Sequence, residues 1–375
     1  MKQFPLHQQH QSLGAQFQVV GDWETPAHYG DSIQEHLAVR NGVGIADLSS
    51  RGKILVTGED RVTWLQSIIS NDILPLHPGQ GLYSTFMDHK GKILAYFRVL
   101  MMEDAIFVED VGEVDDKTYQ HFRKFLLFGT KAKMENCLQR WGILLVAGPK
   151  ACEVIEKTFA TDLLGVNPLG FKSVDVQGHQ MLIGRTEETG ELDVELYVPV
   201  EGLVSVWDQL WSTGRPLGLQ AIGQLALDSL RIEAGIPKIG PDLNEVIVPP
   251  EANLQGKAFS LTKGCYPGQE VVARMDTYGA VKRRLVGFVV EKETSPLPAH
   301  GAKIYSGDRE VGWVSSSAFS PILNKSLALG FPLRDFSQPN TELSIDIQGE
   351  RHRATVHSLP FYSRSSNPPA TGPKQ

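Results

Sequence analysis

The stretch Lys263-Gly-Cys-Tyr-Pro-Gly-Gln-Glu270 is the part of this sequence best suited to thiol chemistry. Cysteine attacks and ligates as the thiolate, and both a lysine two residues away and a following helix N-terminus favour that form of Cys265. Pro267 suits the first turn of such a helix, which Val271-Val-Ala-Arg274 continues, and Gly264 permits a tight approach. The alternative is a buried Cys265 that acts as a small hydrophobe, a common fate of free cysteine. Cys137 and Cys152 fall on apolar periodic faces and read as core. Three scattered cysteines build neither a disulfide framework nor a metal knuckle, so reduced thiols in a cytoplasmic setting and no metal site are expected.

A second set of residues is polar and dispersed: Asn71-Asp72, Arg185-Thr186, Glu191 with Glu195, and Arg231 with Glu233. Glu195 lies within the strand-like run Val194–Val198, so its carboxylate points either into a central cleft or to water. Asp72 also reads as a plain turn residue, and Arg231 as a surface partner of Asp228 or Glu233. Lys282-Arg-Arg284 reads as a solvated basic face. Phosphate loops, dinucleotide fingerprints, nucleophile elbows and zinc-protease motifs do not occur.

The elements that must hold these residues come from a chain of 375 residues, 41% hydrophobic, enough for two or three packed units. With 36 Lys plus Arg against 43 Asp plus Glu, the formal charge of −7 creates no field that would draw in nucleic acid or an anionic bilayer. No run approaches the roughly 20 apolar residues of a membrane helix. Residues 363–375 are too polar to offset the entropy of ordering them, and a disordered tail is expected.

Ser32-Ile-Gln-Glu35 has capping-box spacing and predicts a helix over about 32–41, stopped by Gly42. Lys53–Val56, Gly58 and the apolar face Val62, Leu65, Ile68 and Ile69 read as strand, turn and helix. A hairpin follows, Gly81–Phe86 and Lys92–Met101 about Asp88–Gly91, then Ile106–Val108 and a helix over Val114–Leu127. The order then repeats at a constant offset. Leu55, Val56 and Gly58 match Leu145, Val146 and Gly148, and Ile106-Phe-Val108 with Gly112 matches Leu196-Tyr-Val198 with Gly202.

This predicts an α+β fold of two duplicated ferredoxin-like, βαββαβ-type halves, 20–135 and 136–280, about a shared interface. Short alternating runs from residue 281 to 362 predict a small C-terminal β-barrel. Between halves and barrel, Ile236–Arg274 is long, Pro-rich and aperiodic, a kind of segment usually kept for function.

Nearly the whole chain carries a family resemblance. Asp47-Leu-Ser-Ser-Arg-Gly-Lys-Ile54, Asn71-Asp-Ile73, Gly184–Gly190 with Glu195–Pro199, and Arg231–Gly235 resemble the folate-binding core of the glycine-cleavage T-protein, an aminomethyltransferase. Gly312–Pro321 with Ala328-Leu-Gly330 is similar to its C-terminal barrel. The motif Lys263–Glu270 resembles the signature of the YgfZ-type folate-binding proteins of the same superfamily, relatives of a mitochondrial iron–sulfur assembly factor. There the motif cysteine is functional, which implies Cys265 and its neighbour Lys263 as reactive residues. The resemblance implies tetrahydrofolate, or a related reduced folate, in a central site. It marks Glu195 as pterin-binding, Arg231 as folate-contacting, and Asn71, Asp72, Arg185 and Tyr83 as further cofactor contacts. A carboxylate can accept a pterin's paired N–H donors, and arginine can hold the folate tail.

One departure bears on the reaction. Where the aminomethyltransferases carry an acidic pair after the hairpin turn, Gly91-Lys-Ile-Leu-Ala-Tyr96 places Leu94 and Ala95. Acid–base help of this kind is worth about 10² to 10⁴ in rate, so efficient aminomethyl transfer is not expected. The resemblance then implies a folate-binding protein that supports iron–sulfur assembly or repair and dependent enzymes such as tRNA-thiolating ones, with cluster proteins as partners. The alternative is a folate-dependent aminomethyltransferase or demethylase.

Overall fold

The computed structural model describes residues 2–112, 116–278, 281–291 and 296–364. The expected tail, from residue 365 onward, lies outside these, as does the expected start of a helix at Val114.

The first half is a five-stranded antiparallel sheet in the order Gln80–Met87, Ile93–Met101, Ala105–Asp110, Lys53–Thr57, Lys133–Asn136. Helices Arg61–Ile68 and Lys117–Arg123 cover one face, burying Trp64, Leu65, Ile68 and Phe122 against Phe97, Val99 and Val108. The second half repeats the order as Phe171–Val176, His179–Thr186, Asp193–Pro199, Trp141–Ala147, Val43–Asp47, with the short parallel strand Leu219–Ala221 added at the edge. Helices Ala151–Phe159 and Val200–Gly214 bury Val154, Ile155, Leu203, Val206 and Leu210 on it. The repeat expected from sequence is therefore real, and its two turn glycines serve one purpose. Gly58 and Gly148 have φ of +100° and +120°, and a Cβ there would stand 2.1 Å from the Lys131 carbonyl oxygen and 2.6 Å from that of Gly42.

Each sheet is completed by a strand that precedes the other half in the chain. Lys133–Asn136 leads into the second half but pairs with Lys53–Thr57 of the first. Val43–Asp47 leads into the first half but pairs with Trp141–Ala147 of the second. Both exchanges protect a sheet edge and bind the halves together. The faces turned towards each other share a core containing Leu100, Phe107, Ile143, Leu145, Leu182 and Tyr197.

The helix Ser32–Asn41 forms as expected, but its cap differs. Asp31 accepts from the amides of Ile33 and Gln34, while Glu35 is buried and accepts from the amides of Tyr29 and Gly223. The Gln-rich start also folds, as helix His7–Ser12 and a hairpin Gln16–Val20/Trp23–His28, with His10 held by Asp47 at 2.9 Å.

Val286–Val290, Lys325–Pro332, Arg309–Ser320, Lys303–Ser306, Glu342–Ile347 and Glu350–His357 close into the C-terminal barrel. The aperiodic segment 236–274 is a wedge between the first half and the barrel. Its Leu243, Ile247, Leu254, Phe259 and Tyr266 share one core with Tyr83, Tyr96, Leu285 and Leu327. Its side chains obey neither helix nor strand periodicity because both neighbours contribute to its burial. Among the described residues, no helix is long and apolar enough to cross a membrane.

Candidate functional site

Glu195 is the best starting point, because its strand Asp193–Pro199 sits at the centre of the second sheet and directs its carboxylate towards the first half. It is 1% exposed, so of its two sequence readings the inward one holds. From the first sheet come Arg98 and Glu109, cross-strand partners, and from the loop before strand Lys53–Thr57 comes Arg51. The turn after strand His179–Thr186 adds Glu188, and Tyr197 lies two residues along from Glu195.

These six side chains form one network. Arg98 grips Glu195 with both terminal nitrogens, Nη2 to Oε1 and Nη1 to Oε2, each at 2.7 Å. Arg98 Nη2 also donates to Glu109 at 2.8 Å and Glu188 at 3.3 Å. Arg51 donates to Glu188 Oε2 at 2.8 Å, to Glu109 at 3.1 Å and to Glu195 Oε1 at 3.3 Å. The Tyr197 hydroxyl lies 2.6 Å from Glu109 Oε2 and 2.8 Å from Glu195 Oε2. Three carboxyl groups face two guanidiniums. Burial, reinforced by Glu109 and Glu188, pushes the Glu195 carboxyl up to about 8 against the pull of Arg98 and Arg51. Glu188, which the two arginines grip, is held below the usual carboxylate range despite its burial.

Two cavities lie between the units, and the network borders the smaller. One of about 390 Å³ is walled by Arg51, Glu188, Val111, Arg231 and Lys238. The other, about 770 Å³, lies between the second half, the wedge and the barrel, with Arg185, Glu187, Glu191, Lys257 and Arg284 in its wall. Ile236 and Pro237 line both. Both volumes are of the size used for small organic ligands, about 300–1,000 Å³. Arg51 and Glu188 are the network members that line the smaller cavity; Glu195, Glu109, Arg98 and Tyr197 line neither.

The residues singled out from sequence fall into three places. Arg185 lines the larger cavity with a buried Nε that no group among the described residues accepts from. Arg231 lines the smaller one and is no surface residue: it is 9% exposed and bound to Asp228 at 2.7 Å, Asp242 at 2.8 Å and Ser316 at 2.9 Å. Tyr83 is buried beside the network, stacked on Tyr96 at 5.4 Å, with Lys257 4.7 Å over its ring.

Asn71 and Asp72 are structural clips. Asn71 Nδ2 donates to the carbonyls of Tyr83 and Lys257, while Asp72 Oδ1 accepts from Gln66 and the Leu74 amide. Asp88 likewise accepts from the amides of Lys90 and Lys92 within its turn.

Cys265 is exposed, whereas Cys137 and Cys152 are buried as expected. Its surroundings differ from the expectation in two respects. The helix begins at Gln269 and not at Pro267, after Gly268 with φ of +80°, so no helix terminus directly abuts the thiol. The Lys263 ammonium turns away, donating to the carbonyls of Gln66 at 2.6 Å, Ile69 at 2.5 Å and Asn71 at 3.2 Å. It stitches the end of helix Arg61–Ile68 to the wedge. The basic run is likewise only partly solvated, with Arg283 lying 4.7 Å over the Trp313 ring.

Sequence reasoning missed Arg51, Arg98, Glu109, Glu188 and Tyr197 as site residues. A signal existed in Ile93–Met101, where Arg98 is the single charged residue in an apolar strand. An unbroken apolar strand is buried on both faces, so a charge within it must find a partner there.

The same architecture, two matching halves and a barrel, occurs in known proteins. The GCVT N-terminal domain matches residues 6–261, and the glycine cleavage T-protein C-terminal barrel domain matches residues 283–363. The chain belongs to the glycine cleavage T-protein family. It is similar to the aminomethyltransferase of Caldanaerobacter subterraneus, 30% identical over 97% of each chain. It is also similar to that of Desulfitobacterium hafniense, 31% identical over 97% of this chain and 99% of the relative. In fold it matches the glycine cleavage system aminomethyltransferase T of Bartonella henselae, with a TM-score of 0.87, 23% identity and coverage of 96% and 98%. These T-protein relatives favour the folate-dependent alternative over iron–sulfur support.

Proposed function

We propose that this protein binds a reduced folate between its halves and acts on the one-carbon unit, as a T-protein-type aminomethyltransferase or demethylase. The observation that carries the reading is the meeting of Arg51, Arg98, Glu109, Glu188, Glu195 and Tyr197 at the wall of the smaller cavity, in a chain related to aminomethyltransferases along nearly its whole length. Tetrahydrofolate, when bound, supplies the nitrogen that takes up the one-carbon unit.

The wall groups suit such a ligand. Glu188 is the network carboxylate in contact with the cavity and can accept N–H donors of a pterin. Arg185, Lys257 and Arg284 ring the larger cavity and can receive the carboxylates of a folate tail. Leu94, Ala95 and Tyr96 bring no carboxyl group to the hairpin. Turnover is therefore expected to rest on positioning and to lie about 10²- to 10⁴-fold below that of an enzyme with acid–base help.

Titration with tetrahydrofolate, paired with a glycine-cleavage assay using a lipoylated carrier protein, tests this reading. Micromolar binding with slow turnover is the expected result; absence of both would end it.

A second reading rests on the exposed Cys265. As a YgfZ-type protein the chain would support iron–sulfur assembly or repair, with Cys265 meeting a cluster, a persulfide or a partner's thiol. Loss of client-enzyme rescue in Cys265→Ser, with folate binding intact and no glycine-cleavage turnover, would select it.

A further inference from the structure

Both oxygens of Glu195 are engaged from within the protein. Arg98 Nη2 donates to Oε1 while its Nη1, which donates to Thr186, lies 2.7 Å from Oε2; Arg51 also donates to Oε1, and the Tyr197 hydroxyl lies 2.8 Å from Oε2. The geometry of the Arg98 contact is informative. The Arg98 terminal nitrogens lie against the two oxygens that the paired N–H donors of a 2-aminopyrimidinone edge, such as that of a pterin, would need on a glutamate. The protein's own guanidinium occupies that seat.

Arg98 is not fully satisfied in this position. It is 1% exposed, and its buried Nε has no acceptor among the described residues. An unpaired buried donor is costly, so the arrangement persists through the carboxylate clamp and not through complete hydrogen bonding. Neither Glu195 nor Arg98 lines either cavity, whereas Arg51 and Glu188 form the accessible layer at the smaller one.

Resting on the folate reading above, we propose that Arg98 is a specificity-determining plug: it satisfies Glu195 internally and excludes a ligand's N–H pair from that carboxylate. The pterin end of a bound folate is then read by the Arg51–Glu188 layer, one step shallower. The plug makes the site selective for ligands anchored by their anionic tails over bare pterins.

The test is binding of tetrahydrofolate and of a tail-less tetrahydropterin, followed by fluorescence, to the full-length wild type, Arg98→Met and Arg98→Met/Glu195→Gln. The proposal expects Arg98→Met to bind the tail-less pterin about 10- to 100-fold more tightly than wild type, the worth of a freed charge-assisted pair. Glu195→Gln in the double variant should cancel that gain. A purely structural role for Arg98 predicts loss, not gain. Should Arg98→Met fail to fold, Arg98→Met/Glu109→Gln keeps one more carboxyl group than guanidiniums in the network, as in the wild type, and carries the same expectation.

Unchanged or weaker pterin binding by a folded variant lacking Arg98 overturns the plug. If the wild type nevertheless binds tetrahydrofolate, the folate reading survives that failure. A wild type blind to tetrahydrofolate, with pterin binding gained in Arg98→Met, keeps the plug and removes the folate reading.

Discussion

Phe107 and Tyr197, ninety positions apart and equivalent in the two copies of the repeat, meet edge to face with ring centroids 5.3 Å apart. The duplication thus places its two matching aromatic positions in contact at the joint between halves. Only one carries a hydroxyl, and that hydroxyl bridges Glu109 of the first sheet and Glu195 of the second. A symmetric joint has acquired an asymmetric polar centre.

Tyr197→Phe keeps the ring contact and removes the bridge between two carboxylates. We expect a loss of about 1–3 kcal/mol, the usual cost when a buried acceptor loses its donor. Urea denaturation should show a lower midpoint with an unchanged slope. An unchanged midpoint would mean that the hydroxyl is not a working bridge.

Arg51 is the cation that ties Glu188 at the cavity wall to Glu109 and Glu195 below. Arg51→Met leaves three buried carboxylates facing one guanidinium. Removing one partner of a buried ion cluster costs about 3–5 kcal/mol, and folate binding should fall with it. Calorimetric unfolding and folate titration read the two effects separately. Stability equal to wild type would show that the cluster is solvated.

Lys263 should matter for stability rather than thiol reactivity. Its buried ammonium, which burial lowers to about 8, donates to three backbone carbonyls. Lys263→Met should therefore cost about 2–3 kcal/mol. The alkylation rate of Cys265 at neutral pH should stay within about twofold of wild type, because the ammonium is engaged by the carbonyls of Gln66, Ile69 and Asn71. A large fall in that rate would restore Lys263 as the thiol's activator.

Stability should also depend on pH through Asp193. Burial pushes its carboxyl up to about 7, although Thr189 and the amides of Glu188 and Thr189 donate to it. A folded-state value above the ordinary one means that the folded protein holds more protons than the unfolded chain over that window. This group's contribution then falls as pH rises from about 4 to about 7, by up to about 1.4 kcal/mol per pH unit. Glu195 acts in the same sense, to about 8. Lys53, lowered by burial to about 7, acts oppositely above that pH, regaining stability as it sheds its proton. Denaturation midpoints across this range for wild type and Asp193→Asn check the sign; a steeper fall in the variant would reverse it.

Much of the fold is legible in the chain because local rules and global structure agree. The matched strand, turn and helix pairs show the duplication, since each copy must solve the same turn, with a glycine at 58 and at 148. Alternating runs show the barrel, although Glu350–His357 is easily passed over because its inward residues are few and small. The exchange of strands Val43–Asp47 and Lys133–Asn136 has no local signature, because pairing partners are chosen by the other half.

By itself the sequence determined a two-copy α+β body with a barrel, the core cysteines, and Glu195 as a residue to be watched; alternation, turn chemistry and composition suffice for these. Tertiary structure alone decided that Glu195 is clamped by Arg98 across the joint, that Lys263 serves carbonyls, and that Arg231 is buried. Each of these depends on which charge desolvation brings opposite which, and residues 97 positions apart in the chain, as Arg98 and Glu195 are, declare no pairing until the sheets meet.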